Sequence, residues 1–305
     1  MLQSHLGEFI ALGTAVCWTV TGLAFQQATR IAGSLTVNIL RLIIAFAIFG
    51  FISLYIRGEF IPTDATTHAW TWLSISGIIG FVFGDYCLFK SYEYISARIS
   101  MLVMSLSPIF AALIAWITIG ETLSPKAILA IGITLSGIVI VIMEKKKMDE
   151  EKSKNKKKIK FSFSTKGLLY ALGGTIGQST GLVLSKYGMG NYDVFAATHI
   201  RIIAGLIGFI LIIFFTRRWG RVFETLRDKK TLIFIGIGAF FGPFIGVYLS
   251  LLSIKYTTVA IASTIMAIIP ILIIPPAILL YKEKVTLREI IGAFITVSGI
   301  AIFFI

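Results

Sequence analysis

The chain has 305 residues, of which 56% are hydrophobic and 14% are charged, and its mean hydropathy is +0.89. Soluble globular domains carry about one quarter charged residues, so this composition excludes that class and favours a protein of the lipid bilayer. The net charge is +13, but ten of the 28 basic residues lie in one segment, 144–166, and most others lie at the ends of apolar runs. This distribution is typical of membrane proteins and does not indicate nucleic-acid binding.

Apolar runs of about 20 residues, enough to cross a hydrocarbon core of roughly 30 Å, recur along the whole chain. The first run follows a segment without Lys or Arg and without a small-residue cleavage site, so we expect a retained span rather than a signal peptide. Charged residues, glycines and prolines divide the runs into ten predicted helices: 6–26, 34–56, 70–89, 97–119, 124–143, 166–187, 194–215, 231–253, 258–281 and 286–305. The predicted fold class is an all-α membrane protein with ten transmembrane helices.

The two halves of the chain repeat each other. An offset of 162 residues places Pro108 on Pro270, and an offset of 160 residues places Arg41 on Arg201. Each half has five spans, and because five is odd we expect the second half to enter the membrane inverted around a central cavity, as in many secondary transporters. The predicted domains are a first five-helix repeat at 1–143, a basic cytoplasmic linker at 144–165 and an inverted five-helix repeat at 166–305.

Lys and Arg residues predict the orientation. Twenty-two of them lie in loops on the side of the linker and four on the opposite side. Basic loops remain in the cytoplasm, so we expect a multi-pass protein of the cytoplasmic (inner) membrane with a cytoplasmic linker and both termini outside. The linker is interpreted as a solvated tether, and binding of anionic lipid is the alternative.

No cofactor or metal is expected. Cys17 and Cys87 both fall in apolar segments and can form neither a metal cluster nor a disulfide framework. No P-loop pattern is present in the sequence, so ATP-driven pumping is not indicated. The expected partners are a small-molecule substrate and membrane lipid, with no nucleic acid, and a homodimer through the peripheral spans is a further expectation.

Glycines recur at every fourth position in two predicted helices. Such faces let helix backbones approach closely in lipid, so we expect them at helix interfaces. The two ladders are Gly173, Gly177 and Gly181, and Gly238, Gly242 and Gly246.

Three stretches carry a family resemblance. They are GDYCLFKSYEYISARISMLVMSLSPIFAALIAWITIGETLS, YLSLLSIKYTTVAIASTIMAIIPILIIPPAILLYKEKVT, and the pair CWTVTGLAF and NILRLIIAF with Trp18 and Arg41. The sequence resembles the drug/metabolite transporter superfamily, specifically its ten-span EamA-type members. This resemblance implies two five-helix bundles around a cavity lined by spans 1–4 and 6–9, with spans 5 and 10 at the periphery. It also implies export of amino acids or other small metabolites, as in many members.

The chain departs from that family near the end of the first span. The family often has a lysine there, whereas this sequence has Gln26, and Lys186 fills the repeat-equivalent position. Any charge at this position is therefore carried by one half only.

Asp85 is the leading candidate for the functional site. An ionisable side chain inside a membrane span is costly and is a functional hypothesis by default. In the functional interpretation, Asp85 faces the cavity and binds a proton or a cationic group of the substrate. In the alternative, it lies near Lys90 at the cytoplasmic interface and is solvated or paired there. Val247 occupies the matching position of the second half, so Asp85 is not required by the repeat.

Arg41 and Arg201 are candidates for binding a substrate carboxylate through bidentate hydrogen bonds. Snorkelling to the interface and capping of carbonyls are the alternatives. Further candidates could supply aromatic walls, hydrogen bonds or proton transfer to a cavity. They are Trp18, Gln26, Tyr86, Tyr92, Gln178, Ser179, Lys186, Tyr187, His199 and Tyr248.

Glu121 and Glu283 are related by the repeat and are interpreted as structural. Each precedes a predicted span, so we expect them to cap or pair at the N-terminal ends of spans 5 and 10.

The predicted function is secondary active transport of a small amino acid-like, polar or amphipathic metabolite by alternating access. Export is favoured, with coupling to a proton or substrate gradient, and the chain is not predicted to be an enzyme. Flipping of a lipid or lipid-linked substrate is the alternative. A remote alternative is an intramembrane aspartyl protease that uses Asp85 and Asp193 as a carboxylate pair.

Overall fold

The computed structural model describes residues 5–95, 97–152, 164–276 and 287–302. Within these ranges the chain is helical and contains no β-strand. Seven helical segments there are long and apolar enough to cross a membrane, and two shorter apolar helices accompany them. The protein is therefore an all-helical, multi-pass membrane protein.

The described part of the first half contains six helices. They are α1 (Leu6–Ala32), α2 (Ser34–Arg57), α3 (Thr67–Tyr92), α4 (Ala97–Met104), α5 (Ser107–Ile119) and α6 (Pro125–Lys152). Gly58 and Gly120 adopt the left-handed conformation that glycine favours, with φ of 75° and 67°, and end α2 and α5.

The helices of the second half follow the same order, with one addition. They are α7 (Thr165–Met189), α8 (Val194–Thr216), α9 (Trp219–Thr225), α10 (Lys229–Tyr256), α11 (Val259–Met266), α12 (Ile269–Leu272) and α13 (Leu287–Ala301). The sequence did not predict the short helix α9, because its basic surroundings resemble a loop. Its Val222 is buried and its Phe223 is 60% exposed, so only one face packs on the bundle.

The fourth predicted span of the first half is broken. Ser105 and Leu106 form turns between α4 and α5, directly before Pro108. The same break separates α11 from α12, before Pro270. Proline has no amide hydrogen for the helix ladder and fits the first turn of a new helix, so it explains both breaks.

Two stretches of π-helix are a further repeat-related feature. Residues Ile78–Asp85 of α3 and Phe240–Gly246 of α10 have this wider geometry. They begin 162 residues apart, which matches the offset of the sequence repeat. Such π-helical turns occur frequently at functional sites.

The end of α6 differs from the prediction. The helix continues to Lys152, past the predicted end of span 5 at residue 143 and into the predicted linker. Its last turns are rich in Lys, Glu and Met, which are good helix formers and can extend a helix into water. The rest of the linker lies mainly outside the described residues.

Glycines bring α3 and α7 into close contact. A Cβ atom added at Gly177 would lie 2.6 Å from the Cα of Gly84, and one added at Gly181 would lie 2.8 Å from the Cα of Gly80. Gly177 thus faces Gly84, and Gly181, one turn later in α7, faces Gly80, one turn earlier in α3. The two helices are therefore antiparallel.

The second glycine ladder packs α10 against α1 in the same way. Gly242 faces Thr21 and Gly246 faces Trp18, so these helices also run antiparallel. Both ladders thus lie at helix interfaces, as predicted from their spacing.

Helices α6 and α13 pack mainly against each other. Gly137 of α6 faces Thr296, and Gly299 of α13 faces Thr134. Each residue of one helix is 162 positions from its equivalent in the other, and the contacts are exchanged symmetrically. This pair is antiparallel and lies outside the group of helices that surrounds the central cavity.

Candidate functional site

A cavity of about 100 Å³, room for several water molecules, lies between the two halves. The described residues that line it come from α1 to α5 in the first half and from α7, α8 and α10 to α12 in the second. Most of the wall is apolar. It includes Trp18, Leu88, Tyr92, Met101, Met104, Leu182 and Met266.

Asp85 lies at the cavity wall in an ion pair with Arg41. Both residues are buried, with 5% and 3% of their surface exposed. Arg41 Nη2 donates to one carboxylate oxygen, and Gln178 Nε2, from the other half, donates to the second. Lys90 instead forms an ion pair with Glu93 at 2.6 Å. The alternative in which Asp85 pairs near Lys90 therefore does not describe its surroundings.

Asn38 completes the environment of Arg41. Its Oδ1 atom accepts a hydrogen bond of 3.0 Å from Arg41 Nε, one helical turn away. The guanidinium also lies 4.7 Å from the centre of the Phe89 ring, within the range of a cation–π interaction. Arg41 is thus held by an acid, an amide and an aromatic face.

Arg201 lines the same cavity without comparable partners. It is 3% exposed, and its Nε atom is buried with no hydrogen-bond partner. Among the described residues it forms no ion pair, and its main neighbour is the Phe81 ring, 4.9 Å away. The position of Gly80 makes room for it, because a Cβ atom there would lie 3.1 Å from Arg201 Nη2.

The repeat explains the difference between the two arginines. Asp85, which pairs with Arg41, is replaced at the equivalent position by Val247, and both side chains line the cavity. Arg41, Asp85 and Arg201 are the charged residues among the described lining, so the cavity carries one more positive than negative charge. The unbalanced charge belongs to Arg201.

Asn38, which binds Arg41, and Gln178, which binds Asp85, also have different residues at their repeat-equivalent positions. At an offset of 160, Asn38 corresponds to Thr198, whose hydroxyl donates to the Val194 carbonyl at 2.8 Å. Gln178 corresponds at the same offset to Trp18, whose ring packs near Gly246. Asp85 and Asn38, the acceptors that hold Arg41, are therefore not repeated at the equivalent positions for Arg201.

The cavity includes six of the candidates from the sequence: Trp18, Arg41, Asp85, Tyr92, Gln178 and Arg201. The other seven do not line it: Gln26, Tyr86, Ser179, Lys186, Tyr187, His199 and Tyr248. Ser179 contacts the lining indirectly, because its hydroxyl is 2.8 Å from that of the lining residue Ser107.

Lys186 forms an ion pair at one end of the bundle. Its Nζ atom is 2.6 Å from Glu121 Oε1 and donates to the Thr257 carbonyl at 2.7 Å. Glu121 Oε2 accepts a 3.0 Å hydrogen bond from the Val259 amide and so caps α11 rather than the fifth span. Glu121 thus joins the two halves, while Glu283 lies outside the described residues.

His199 lies in an aromatic cluster away from the cavity. The centres of the Phe46 and Phe49 rings are 5.6 and 5.9 Å from its own, and neither ring nitrogen has a partner among the described residues. Tyr187 and Tyr248 are also outside the cavity. Tyr187 packs on Trp72 with ring centres 4.9 Å apart, and Tyr248 lies 6.2 Å from Phe195.

The two aspartates of the protease alternative do not form a pair. Asp193 caps α8 through the Ala196 amide at 2.9 Å and contacts Arg57 at 3.2 Å in the loop region. Asp85 is engaged inside the cavity by Arg41. The shared proton of an aspartyl protease requires two adjacent carboxylates, which this arrangement does not provide.

Several residues that line the cavity, or that hold a lining residue as Asn38 holds Arg41, were not predicted from the sequence. Asn38 could have been found, because it lies three positions before Arg41 on the same helix face. Phe81 and the serines at the breaks, Ser105 and Ser107, carry no signal in the sequence that separates them from ordinary packing residues.

The fold and the charged cavity define a helical membrane protein with a polar site between two halves, and comparisons with known proteins give its family. The sequence model of the EamA-like transporter family matches residues 5–143 and, a second time, residues 165–305. The chain therefore belongs to the EamA-like transporter family and contains the family unit twice.

A curated relative and a solved structure are similar to this chain. Human solute carrier family 35 member G1 is 24% identical over 151 residues, which are 49% of this chain and 40% of the relative. The chain thus aligns with less than half of that protein. A protein crystal structure with 17% identity covers 97% of this chain and 95% of its own, with a TM-score of 0.70, and shows a shared fold.

Proposed function

We propose that the protein is a secondary active transporter that moves a small metabolite across the cytoplasmic membrane by alternating access. The observation that carries this proposal is the buried cluster of Arg41, Asp85, Gln178 and Arg201 in a cavity between the two halves. Charged groups inside a membrane mark the paths of substrates and ions. Membership of a transporter family supports the same function.

Inverted repeats of five spans each are the second part of the proposal. Helix α1 is antiparallel to α10, and α3 is antiparallel to α7. In the repeat, α1 corresponds to α7 and α3 to α10, so these are equivalent pairs. The antiparallel contacts support a second half that is upside down relative to the first, which allows the halves to rock around a shared site.

The orientation follows from the basic loops. We place the connection between α6 and α7 in the cytoplasm and both termini outside, with export as the favoured direction. A reporter fused after Ile305 should give an external signal in cells. A cytoplasmic signal would contradict this orientation.

Asp85 is proposed as the coupling carboxylate. The groups that face it are Arg41 from α2, Gln178 from α7, Arg201 from α8 and Tyr92 from its own helix. A proton or a substrate that breaks the Arg41–Asp85 pair would change the equilibrium between the inward-open and outward-open states. Coupling requires such a change.

The test begins with ligand binding. The purified protein is screened for thermal stabilisation by amino acids, amines, carboxylates and phosphorylated metabolites, because a ligand that binds the folded state stabilises it. Uptake of each stabilising compound is then measured in proteoliposomes with and without a pH gradient. We expect uptake that responds to the gradient, and Asp85→Asn should abolish uptake or its response.

The matched control for this experiment is Asp64→Asn. Asp64 pairs with Arg57 at 2.5 Å in an exposed loop, and its substitution should leave uptake unchanged. Gradient-dependent uptake that survives in Asp85→Asn would contradict the coupling role. Scrambling of lipid without uptake of any soluble compound would instead favour the flippase alternative.

The ion pair of Glu121 and Lys186 is expected to keep the outer end closed. Its two side chains are 13% and 26% exposed, and it joins the two halves. Glu121→Gln should favour the outward-open state by about 1 kcal/mol, or roughly fivefold. The readout is labelling of Ser250→Cys, inside the cavity, by an impermeant maleimide in a background with Cys17 and Cys87 replaced by serine.

Lys90→Met provides the control for this prediction. It removes an ion pair of the same length, 2.6 Å, at the opposite end of the bundle. Labelling from outside should not increase in this variant. Equal labelling rates in Glu121→Gln and the parent protein would contradict a gating role of the pair.

A further inference from the structure

We infer that the substrate is a small organic monoanion, bound through its carboxylate to Arg201 and through an apolar group to the wall near Trp18. This inference rests on the proposed function and specifies the ligand of the same cavity. It depends on a difference between the two repeats: Arg41 has a carboxylate partner, Asp85, whereas the position equivalent to Asp85 in the repeat of Arg201 is Val247.

Arg41 and Arg201 differ in their hydrogen bonds. Arg41 donates to Asp85 and Asn38, whereas Arg201 has a buried Nε atom without a partner and faces the same cavity. A buried guanidinium without acceptors is costly, and the cost is removed when an acceptor binds. A carboxylate suits this role because it can accept two parallel hydrogen bonds from one guanidinium.

The charge of the cavity favours an anion. The described lining contains two arginines and one aspartate, and the aspartate is already engaged. A monoanion would neutralise the cavity, whereas a cationic substrate would raise its net positive charge and compete with Arg41 for Asp85. The bound carboxylate would thus supply the acid that Val247 replaces in the second repeat.

The cavity wall also offers apolar surface to the rest of the ligand. Where Gln178 supports Asp85 in one half, the equivalent residue Trp18 presents an aromatic ring. Val247, Leu182 and Met266 add further apolar surface to the same cavity. A carboxylate with an apolar body matches this wall better than a fully polar acid.

A wider basic cavity at the proposed cytoplasmic end supports the same substrate class. It has a volume of about 530 Å³ and is lined by Arg30, Lys90, Arg218 and Arg221. Its carboxylate, Glu93, accepts hydrogen bonds from the Ser34 amide at 2.9 Å and from Lys90 at 2.6 Å. Burial alone raises the pKa of Glu93, but these hydrogen bonds lower it below its ordinary value. A cavity with this charge attracts anions from the cytoplasm.

The test uses three probes with the same ring and different charge: phenylacetate, phenylacetamide and phenethylamine. Binding to the purified full-length protein is measured by equilibrium dialysis and by thermal stabilisation. We expect phenylacetate to bind best. Arg201→Gln should weaken its binding roughly ten- to a hundredfold, the contribution of hydrogen bonds to a charged group. Equal binding of the three probes, or unchanged binding in Arg201→Gln, would overturn the inference.

A double variant shows whether Arg201→Gln loses binding because it lacks the positive charge or because it is misfolded. Asp85→Asn combined with Arg201→Gln frees Arg41 and restores one excess positive charge, so phenylacetate should bind within about tenfold of the parent protein. Asp64→Asn combined with Arg201→Gln should remain weak. A double variant at Asp85 that binds no better than Arg201→Gln would contradict the proposal.

Arg201→Lys serves if Arg201→Gln does not fold. It keeps the charge but lacks the bidentate geometry, so we expect weaker, still carboxylate-selective binding. Loss of selectivity among the three probes in this variant would contradict the inference. These measurements need no transport, so a protein that binds phenylacetate but moves no solute would refute the proposed function and leave the inference intact.

Discussion

Replacement of Gly177 by leucine is expected to lower the free energy of unfolding by more than about 3 kcal/mol, at or above the upper end for overpacking. A Cβ atom at this position would lie 2.6 Å from the Gly84 Cα and 3.0 Å from its amide nitrogen. Backbone atoms cannot rotate away as a side chain does, so α3 and α7 must separate. The measurement is the apparent melting temperature and the monodispersity of the purified protein in detergent.

Gly236→Leu is the matched control. Gly236 also lies within a membrane helix, α10, but nothing lies within 4 Å of a Cβ atom there. The variant should melt close to the parent protein. If both leucine variants are equally stable, then the contact between α3 and α7 is looser than the structure shows, and the cavity that it borders is not held in this way.

Replacement of Asp85 by leucine is expected to destabilise the protein by about 3–5 kcal/mol. It leaves Arg41 buried without its counter-charge, and removal of one partner of a buried ion pair has this effect. It also removes the negative charge that lies near Arg201. The expected result is a large decrease in melting temperature or a loss of folded protein after extraction from the membrane.

The variant with both Arg41→Leu and Asp85→Leu should recover much of this loss. It removes the pair as a whole, and apolar groups often replace a buried ion pair without loss of stability. The two single variants and the double variant form a cycle that isolates the interaction. A double variant as unstable as Asp85→Leu would show that the instability does not arise from an uncompensated Arg41.

The sequence by itself determined the class of protein, an all-helical multi-pass membrane protein that contains an internal repeat. A helix of about 20 apolar residues is needed to cross the hydrocarbon core with its backbone groups satisfied, so such runs are visible without a structure. The repeat was visible for the same reason, because Arg41 and Arg201 are rare residues in such runs and are separated by a constant offset. The glycine ladders predicted helix interfaces because close backbone contact requires the absence of side chains.

Only the tertiary structure decided which polar residues share the cavity. Lys186 and His199 have the same sequence signal as Arg201, a charge or ring in an apolar run, yet Lys186 pairs with Glu121 and His199 lies among phenylalanines. The rotation of each helix sets these partners, and the π-helical turns change that rotation by an amount that 3.6-residue periodicity does not predict. The difference between a satisfied Arg41 and an unpaired Arg201 depends on contacts between distant segments, so it appears only when the two halves are folded together.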